Sequence, residues 1–128
     1  MNTEPEIIVV VDDPQYQQFF LDSLQMRCNI SFCASVSVAS DLIDLIHPDI
    51  LIVDLDLTGG IGLSVIAELR HNSASKEAFC IVVSSSTEKL DYTNAIAAGA
   101  NTLLIKPFSE EQLTSVIESY ISQTSNFK

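Results

Sequence analysis

Ile7-Ile8-Val9-Val10-Val11 runs directly into Asp12-Asp13, and Ile50-Leu51-Ile52-Val53 runs directly into Asp54-Leu55-Asp56. Each greasy run has the length of a buried strand and ends in paired carboxylates. Four such charges brought to one place repel; at about 4 Å and an effective dielectric near 20, each like-charged pair costs on the order of 4 kcal/mol. The pattern therefore predicts two strands whose ends meet around a cation.

Working outward, three further apolar runs read as strands, Ile30–Ala34, Phe79–Val83 and Thr102–Ile105, beside Ile7–Val11 and Ile50–Leu55. Runs of four to six residues, apolar nearly throughout and rich in Val and Ile, suit parallel strands covered on both faces. Helical patterns fill the gaps. Pro14 fits the first turn of a helix capped by Asp13, with Tyr16, Phe20 and Leu24 on one face. A second helix spans about Val38 to Ile46, stopped by Pro48, and a third about Gly62 to His71, burying Leu63, Ile66 and Leu69 or Val65. A fourth fits Glu88 to Ala98 with Gly99 as its cap, and a fifth starts at Ser109 with Gln112 completing a capping box. Its apolar stripe is Leu113, Val116, Ile117, Tyr120 and Ile121.

This alternation is (βα)₅, an α/β fold with right-handed crossovers into an open parallel sheet and helices on both faces. One domain is expected over residues 1–128, ordered from about 6 to 121, with 122–128 a polar tail or the start of a linker. Ligands of such sheets bind beyond the carboxyl ends of the strands. There lie both aspartate pairs, the run Ser84-Ser85-Ser86-Thr87, and Lys106-Pro107.

Seventeen acids against six bases give a net charge of −11, which opposes direct binding to nucleic-acid backbones or anionic membranes. No apolar run is long enough to cross a bilayer and no signal peptide is visible, so the cytoplasm is expected. Cys28, Cys33 and Cys80 lack metal-type spacing and read as core or near-surface thiols. His47 and His71 read as surface residues, and Tyr16, Phe19 and Phe20 as core or helix-face residues. No G-x-G-x-x-G follows the first strand, so the glycines at 59, 60 and 62 are not a nucleotide fingerprint.

Carboxylates from two strand ends plus one backbone carbonyl make a hard oxygen site suited to Mg²⁺, which keeps several waters. An aspartate can also attack phosphorus to give an aspartyl phosphate. Lys106 could then neutralise phosphoryl oxygens and the Ser84 hydroxyl could donate to them.

In this order the residues resemble the receiver domain of two-component response regulators along nearly the whole chain. The acidic pair follows the first strand and Asp54 ends the third, with Gly62 eight residues later. Ser84 ends the fourth strand, Gly99 follows after 15 residues, and Lys106-Pro107-Phe108 begins seven residues after that. The resemblance implies a flavodoxin-like, chemotaxis-Y-like sheet of order 2-1-3-4-5. It implies Asp54 as phosphoacceptor, Asp13 as direct Mg²⁺ ligand, Asp12 as a more indirect one, and the Asp56 carbonyl completing the protein ligands. Ser84 would be the switch hydroxyl, Lys106 the phosphoryl-pairing lysine, and Lys106–Pro107 a cis peptide. The implied partners are a sensor histidine kinase or histidine phosphotransfer protein and a downstream effector or fused output domain, with a phosphorylation-dependent dimer among the forms allowed.

Two positions depart from the family. Thr58, followed by Gly59-Gly60, stands where proline is usual, which leaves the carbonyl-bearing loop less constrained. Leu103 stands where a switching Tyr or Phe is frequent. Asp56 and Ser86 occupy positions that tune phosphoaspartate hydrolysis in the family. Asp54-Leu55-Asp56-Leu57-Thr58 also reads as D-x-D-x-T, which resembles the first motif of haloacid-dehalogenase-type phosphatases. That family's acidic metal motif follows its lysine, whereas Asp12-Asp13 comes first here. A third reading is a docking module with the receiver fold and no phosphorylation.

Overall fold

The computed structural model describes residues 4–24, 27–57 and 62–124. Ten elements alternate: β1 (Glu6–Val10), α1 (Pro14–Ser23), β2 (Asn29–Cys33), α2 (Val36–Ile46), β3 (Ile50–Asp54), α3 (Gly62–His71), β4 (Phe79–Ser84), α4 (Lys89–Ala98), β5 (Thr102–Ile105) and α5 (Glu110–Gln123). The strands form one parallel sheet in the order β2-β1-β3-β4-β5.

The near-continuous apolar runs are explained by helices on both faces. Along β1 and β3, Ile8, Val10, Leu51 and Val53 enter one buried cluster, with Ala39 and Ile43 of α2 and Val65, Ile66 and Leu69 of α3. The alternate residues Ile7, Val9, Ile50 and Ile52 enter a second, with Phe20 of α1 and Leu113 and Ile117 of α5. Strand parity thus decides which helices a side chain meets.

Local signals set the helix ends. The Asp13 carboxylate accepts the Gln15 N–H, with Pro14 opening α1, and the Ser109–Gln112 capping box is formed in both directions. The second helix starts earlier than the apolar pattern suggests, because the Ser35 hydroxyl accepts the Val38 N–H and draws Val36 and Ser37 into the first turn. Its last turn closes on His47, which adopts a left-handed conformation with φ 56°. The fifth helix also outlasts its apolar stripe: Ser122 and Gln123, expected in the tail, belong to α5. Thr58, Gly59, Gly60 and residues 125–128 lie outside the described residues.

At the amino ends of the strands, Arg70 of α3 clasps the neighbouring loops. Its guanidinium donates to the carbonyls of Gly99, Lys76 and Ala78 and to Asn101 Oδ1. Among the described residues, no helix is long and apolar enough to cross a membrane.

Candidate functional site

The register carries the aspartates to one rim. Val10 pairs with Val53, so Asp54 lies beside Val11, and Asp12 and Leu55 follow one step on. The β1–α1 turn is pinned by the Val11 N–H on Cys33 O (3.0 Å) and by the Gln17 amide on Val11 O (3.0 Å). Asp12 and Asp13 are half-buried there.

Asp54 is only 1% exposed. It shares the parity of Ile50 and Ile52, so its side chain leaves the sheet on the α1 and α5 side. One carboxylate oxygen accepts the Asp56 N–H at 2.8 Å and the other accepts Lys106 Nζ at 2.6 Å. Lys106 reaches it from the end of β5, beside a cis Lys106–Pro107 peptide, and its side chain is 12% exposed. The same ammonium lies 3.2 Å from Asp56 Oδ2. Part of the positive charge that the repulsion between carboxylates demands is therefore Lys106 itself.

The Asp56 side chain does more than the sequence suggested. Besides Lys106, its carboxylate accepts the Ser85 N–H at 2.9 Å and faces Ser84 Oγ at 3.5 Å, tying β3 to the β4–α4 loop. Partial burial works against its ionisation, but the Ser85 hydrogen bonds and Lys106 outweigh it and hold the carboxyl below the ordinary range. Burial likewise opposes the charged form of Lys106, and Asp54 and then Asp56 outweigh it, raising the lysine above 10.5. Ser84 is buried; its hydroxyl accepts the Ser86 N–H at 3.0 Å and its carbonyl accepts the Lys106 N–H at 2.8 Å. Ser86 continues the chain to Asp91 of α4 through a 2.6 Å hydrogen bond.

Beside this rim lies a cleft of about 180 Å³ lined by Asp56, Gly62, Ser84, Ser86 and Asp91 with Leu55 and Leu63. Gly62 lets the start of α3 pack close to the end of β3, since a Cβ there would stand 3.1 Å from Leu55 Cδ2 and 3.2 Å from the Asp54 carbonyl. Leu103, paired with Val82 on β5, is half-buried against the cluster on the α2–α4 side. Asp54, Asp56, Ser84 and Lys106 thus converge, Asp12 and Asp13 stand at the end of the neighbouring strand, and Leu103 lines a hollow with Ser86, Thr87 and Glu88 of the β4–α4 loop.

Tyr16, expected as a core or helix-face residue, is half-buried and meets the site. Its ring centroid lies 4.5 Å from Lys106 Nζ. An aromatic in the first turn of an amphipathic helix carries no signal that its outer face will meet a cation.

Among the described residues, no three His, Cys, Asp or Glu side chains gather tightly enough to hold a metal ion alone. That is no obstacle to Mg²⁺, which takes one or two protein carboxylates and fills its shell with water and phosphate oxygen. An all-oxygen rim of aspartates fits this hard ion and does not fit a soft metal.

Comparison with known proteins agrees with the geometry. Residues 7–118 match the response regulator receiver domain model. The chain is 29% identical over 116 residues to the nitrate/nitrite response regulator NarL of Escherichia coli, covering 88% of this chain and 53% of that protein. It therefore spans about half the length of that curated relative. Among solved structures, a receiver domain of a Pseudomonas aeruginosa sensor histidine kinase, described with magnesium coordinated in its active-site cleft, superposes with a TM-score of 0.83 at 23% identity, covering 93% of this chain and 98% of that one. The Vibrio cholerae chemotaxis protein CheY4 superposes with a TM-score of 0.84 at 20% identity, covering 91% and 98%. Family match, strand order and convergent rim lead to one conclusion: the chain belongs to the response regulator receiver domain family of two-component systems.

Proposed function

We propose that Asp54 accepts a phosphoryl group from a phosphohistidine donor and that the resulting aspartyl phosphate shifts the domain between conformers. The observation that carries this is a buried carboxylate paired to Lys106 Nζ at 2.6 Å at the carboxyl end of the central strand. An Asp54 oxygen attacks phosphorus, the P–N bond to the donor imidazole breaks, and the imidazole leaves with its electron pair. Lys106 exchanges a carboxylate oxygen for a phosphoryl oxygen. Ser84 Oγ, now satisfied by the Ser86 N–H and facing Asp56, turns to donate to the new group.

Mg²⁺ would be held by Asp12, Asp13, Asp54 and the Asp56 carbonyl, and when bound it neutralises charge on the phosphoryl oxygens. The donor is a sensor histidine kinase or histidine phosphotransfer protein. The signal passes to an effector or fused output domain, in the cytoplasm, as a population shift. Later hydrolysis of the acyl phosphate resets the domain.

Incubation with Mg²⁺ and acetyl phosphate should raise the intact mass by one phosphoryl group, mapped to Asp54, and Asp54→Asn should abolish the gain. No labelling under saturating donor would overturn the proposal in favour of a docking module. Many turnovers of a phosphomonoester per molecule would overturn it in favour of a phosphatase.

A further inference from the structure

Lys106 is enclosed on three sides. Two of its N–H groups are matched to Asp54 Oδ2 at 2.6 Å and Asp56 Oδ2 at 3.2 Å, while the Tyr16 ring covers Nζ at 4.5 Å from its centroid. That distance is well inside the roughly 6 Å range of a cation–π contact. The ring is itself fixed: its centroid lies 6.0 Å from Phe19, 6.5 Å from Phe20 and 5.9 Å from Phe108. Phe20 and Phe108 are buried. Phe108 lies two residues beyond Lys106 on the same loop, so α1 and the β5–α5 loop together set both partners of the contact.

We propose that Tyr16 is a positioning residue for phosphoryl transfer, its π face holding the Lys106 ammonium while that ammonium changes hydrogen-bond partners. The role rests on Asp54 being the phosphoacceptor. Carboxylate hydrogen bonds are short and directional, so Nζ loses them when it moves toward a phosphoryl oxygen. Attraction to a ring face varies slowly with position and uses none of the ammonium's directed N–H bonds. The ring also keeps water from one side of the cation, which strengthens its pull on the incoming charge. A ring that served only as core packing could be replaced by any side chain of similar apolar volume, and that difference is testable.

Three variants separate the roles. Tyr16→Phe keeps the π face, Tyr16→Leu keeps apolar volume without it, and pentafluorophenylalanine at position 16 keeps the ring shape while reversing its quadrupole. Two readouts are taken on each: the rate of acetyl phosphate labelling, and the NMR shifts of the Lys106 side-chain protons, which a ring at this distance moves upfield. The Phe variant should label within about twofold of wild type and keep the upfield shift. The Leu and pentafluorophenylalanine variants should label about five- to thirtyfold more slowly, the factor matching a partly desolvated cation–π contact. The fluorinated ring guards against loss of packing in the Leu variant. Normal labelling by both would overturn the role while leaving Asp54 as acceptor; so would a Phe variant as slow as Leu. A wild type with the upfield shift and no labelling would overturn the acceptor reading, and the positioning role with it.

Discussion

Replacing Lys106 by Met removes the cation while keeping most of the aliphatic stem, and it leaves the Asp54 side chain at 1% exposure without its ionic partner. At 2.6 Å, with an effective dielectric near 20, the gross attraction is about 6 kcal/mol. Most of it offsets the desolvation of the two ions, so the gross figure is not the stability at stake. Breaking a buried pair by deleting one partner costs about 3–5 kcal/mol, because the surviving charge stays buried. In an Asp54→Asn background the lysine retains Asp56, whose side chain is 34% exposed. There the same Lys106→Met change should cost only about 1 kcal/mol, as partly solvated pairs do. The double-mutant cycle should therefore show a coupling of about 2–4 kcal/mol between positions 54 and 106. Urea unfolding at pH 7 without divalent cations, followed by far-UV circular dichroism since the chain has no Trp, measures all four corners. A coupling below about 0.5 kcal/mol would refute the reasoning: the pair would be screened by solvent, and the buried carboxylate would not depend on Lys106.

Gly99→Ala should destabilise the fold by about 2–4 kcal/mol, through strain at positive φ and disruption of the Arg70 clasp. Its φ is +121°, and a Cβ there would stand 2.9 Å from Arg70 Cγ and Nε. Thermal melts test the cost, and the folded fraction should still label at Asp54 because Gly99 lies at the opposite rim. Stability should also fall in alkali in two stages, and urea midpoints under reducing conditions test this. Burial pushes the Cys33 thiol up to about 11 and Cys80, despite Arg70, to about 12, from 9.0. Stability tied to the neutral thiols is complete below pH 9 and falls as pH rises from there toward those values, by about 1 kcal/mol from each thiol at pH 10. The contribution of Lys106, raised above 10.5, is lost only beyond that pH, where the thiol loss continues and Tyr120, also raised by burial, adds to it, so Lys106→Met should lessen the fall above pH 10.5 and leave the fall between pH 9 and 10.5 unchanged.

The sheet was legible because a strand buried on both faces must be apolar at nearly every position, and few other elements of five residues are. The rim was legible for a related reason: clustered carboxylates after such runs require compensation, and Lys106 after the last strand supplies part of it. What escaped the sequence are the contacts whose partners carry no side-chain signature. Four of the five Arg70 hydrogen bonds end on main-chain carbonyls of two loops. The tie that the Asp56 carboxylate makes to the β4–α4 loop carries no signature because its shortest bond is to the backbone N–H of Ser85, a group every residue but proline offers. Tyr16 escapes in the opposite way, since its i, i+4 relation to Phe20 is satisfied by a core or helix-face aromatic and asks for nothing more. An aromatic ring has two uses, an edge to pack and a face to hold charge, and helical periodicity reports only the first. Near a rim of charged groups, then, an aromatic in the first turn of a following helix should be weighed as a cation partner before it is assigned to the core. By that criterion Phe19, one turn removed from the cap and without a cation over its ring among the described contacts, remains a packing residue.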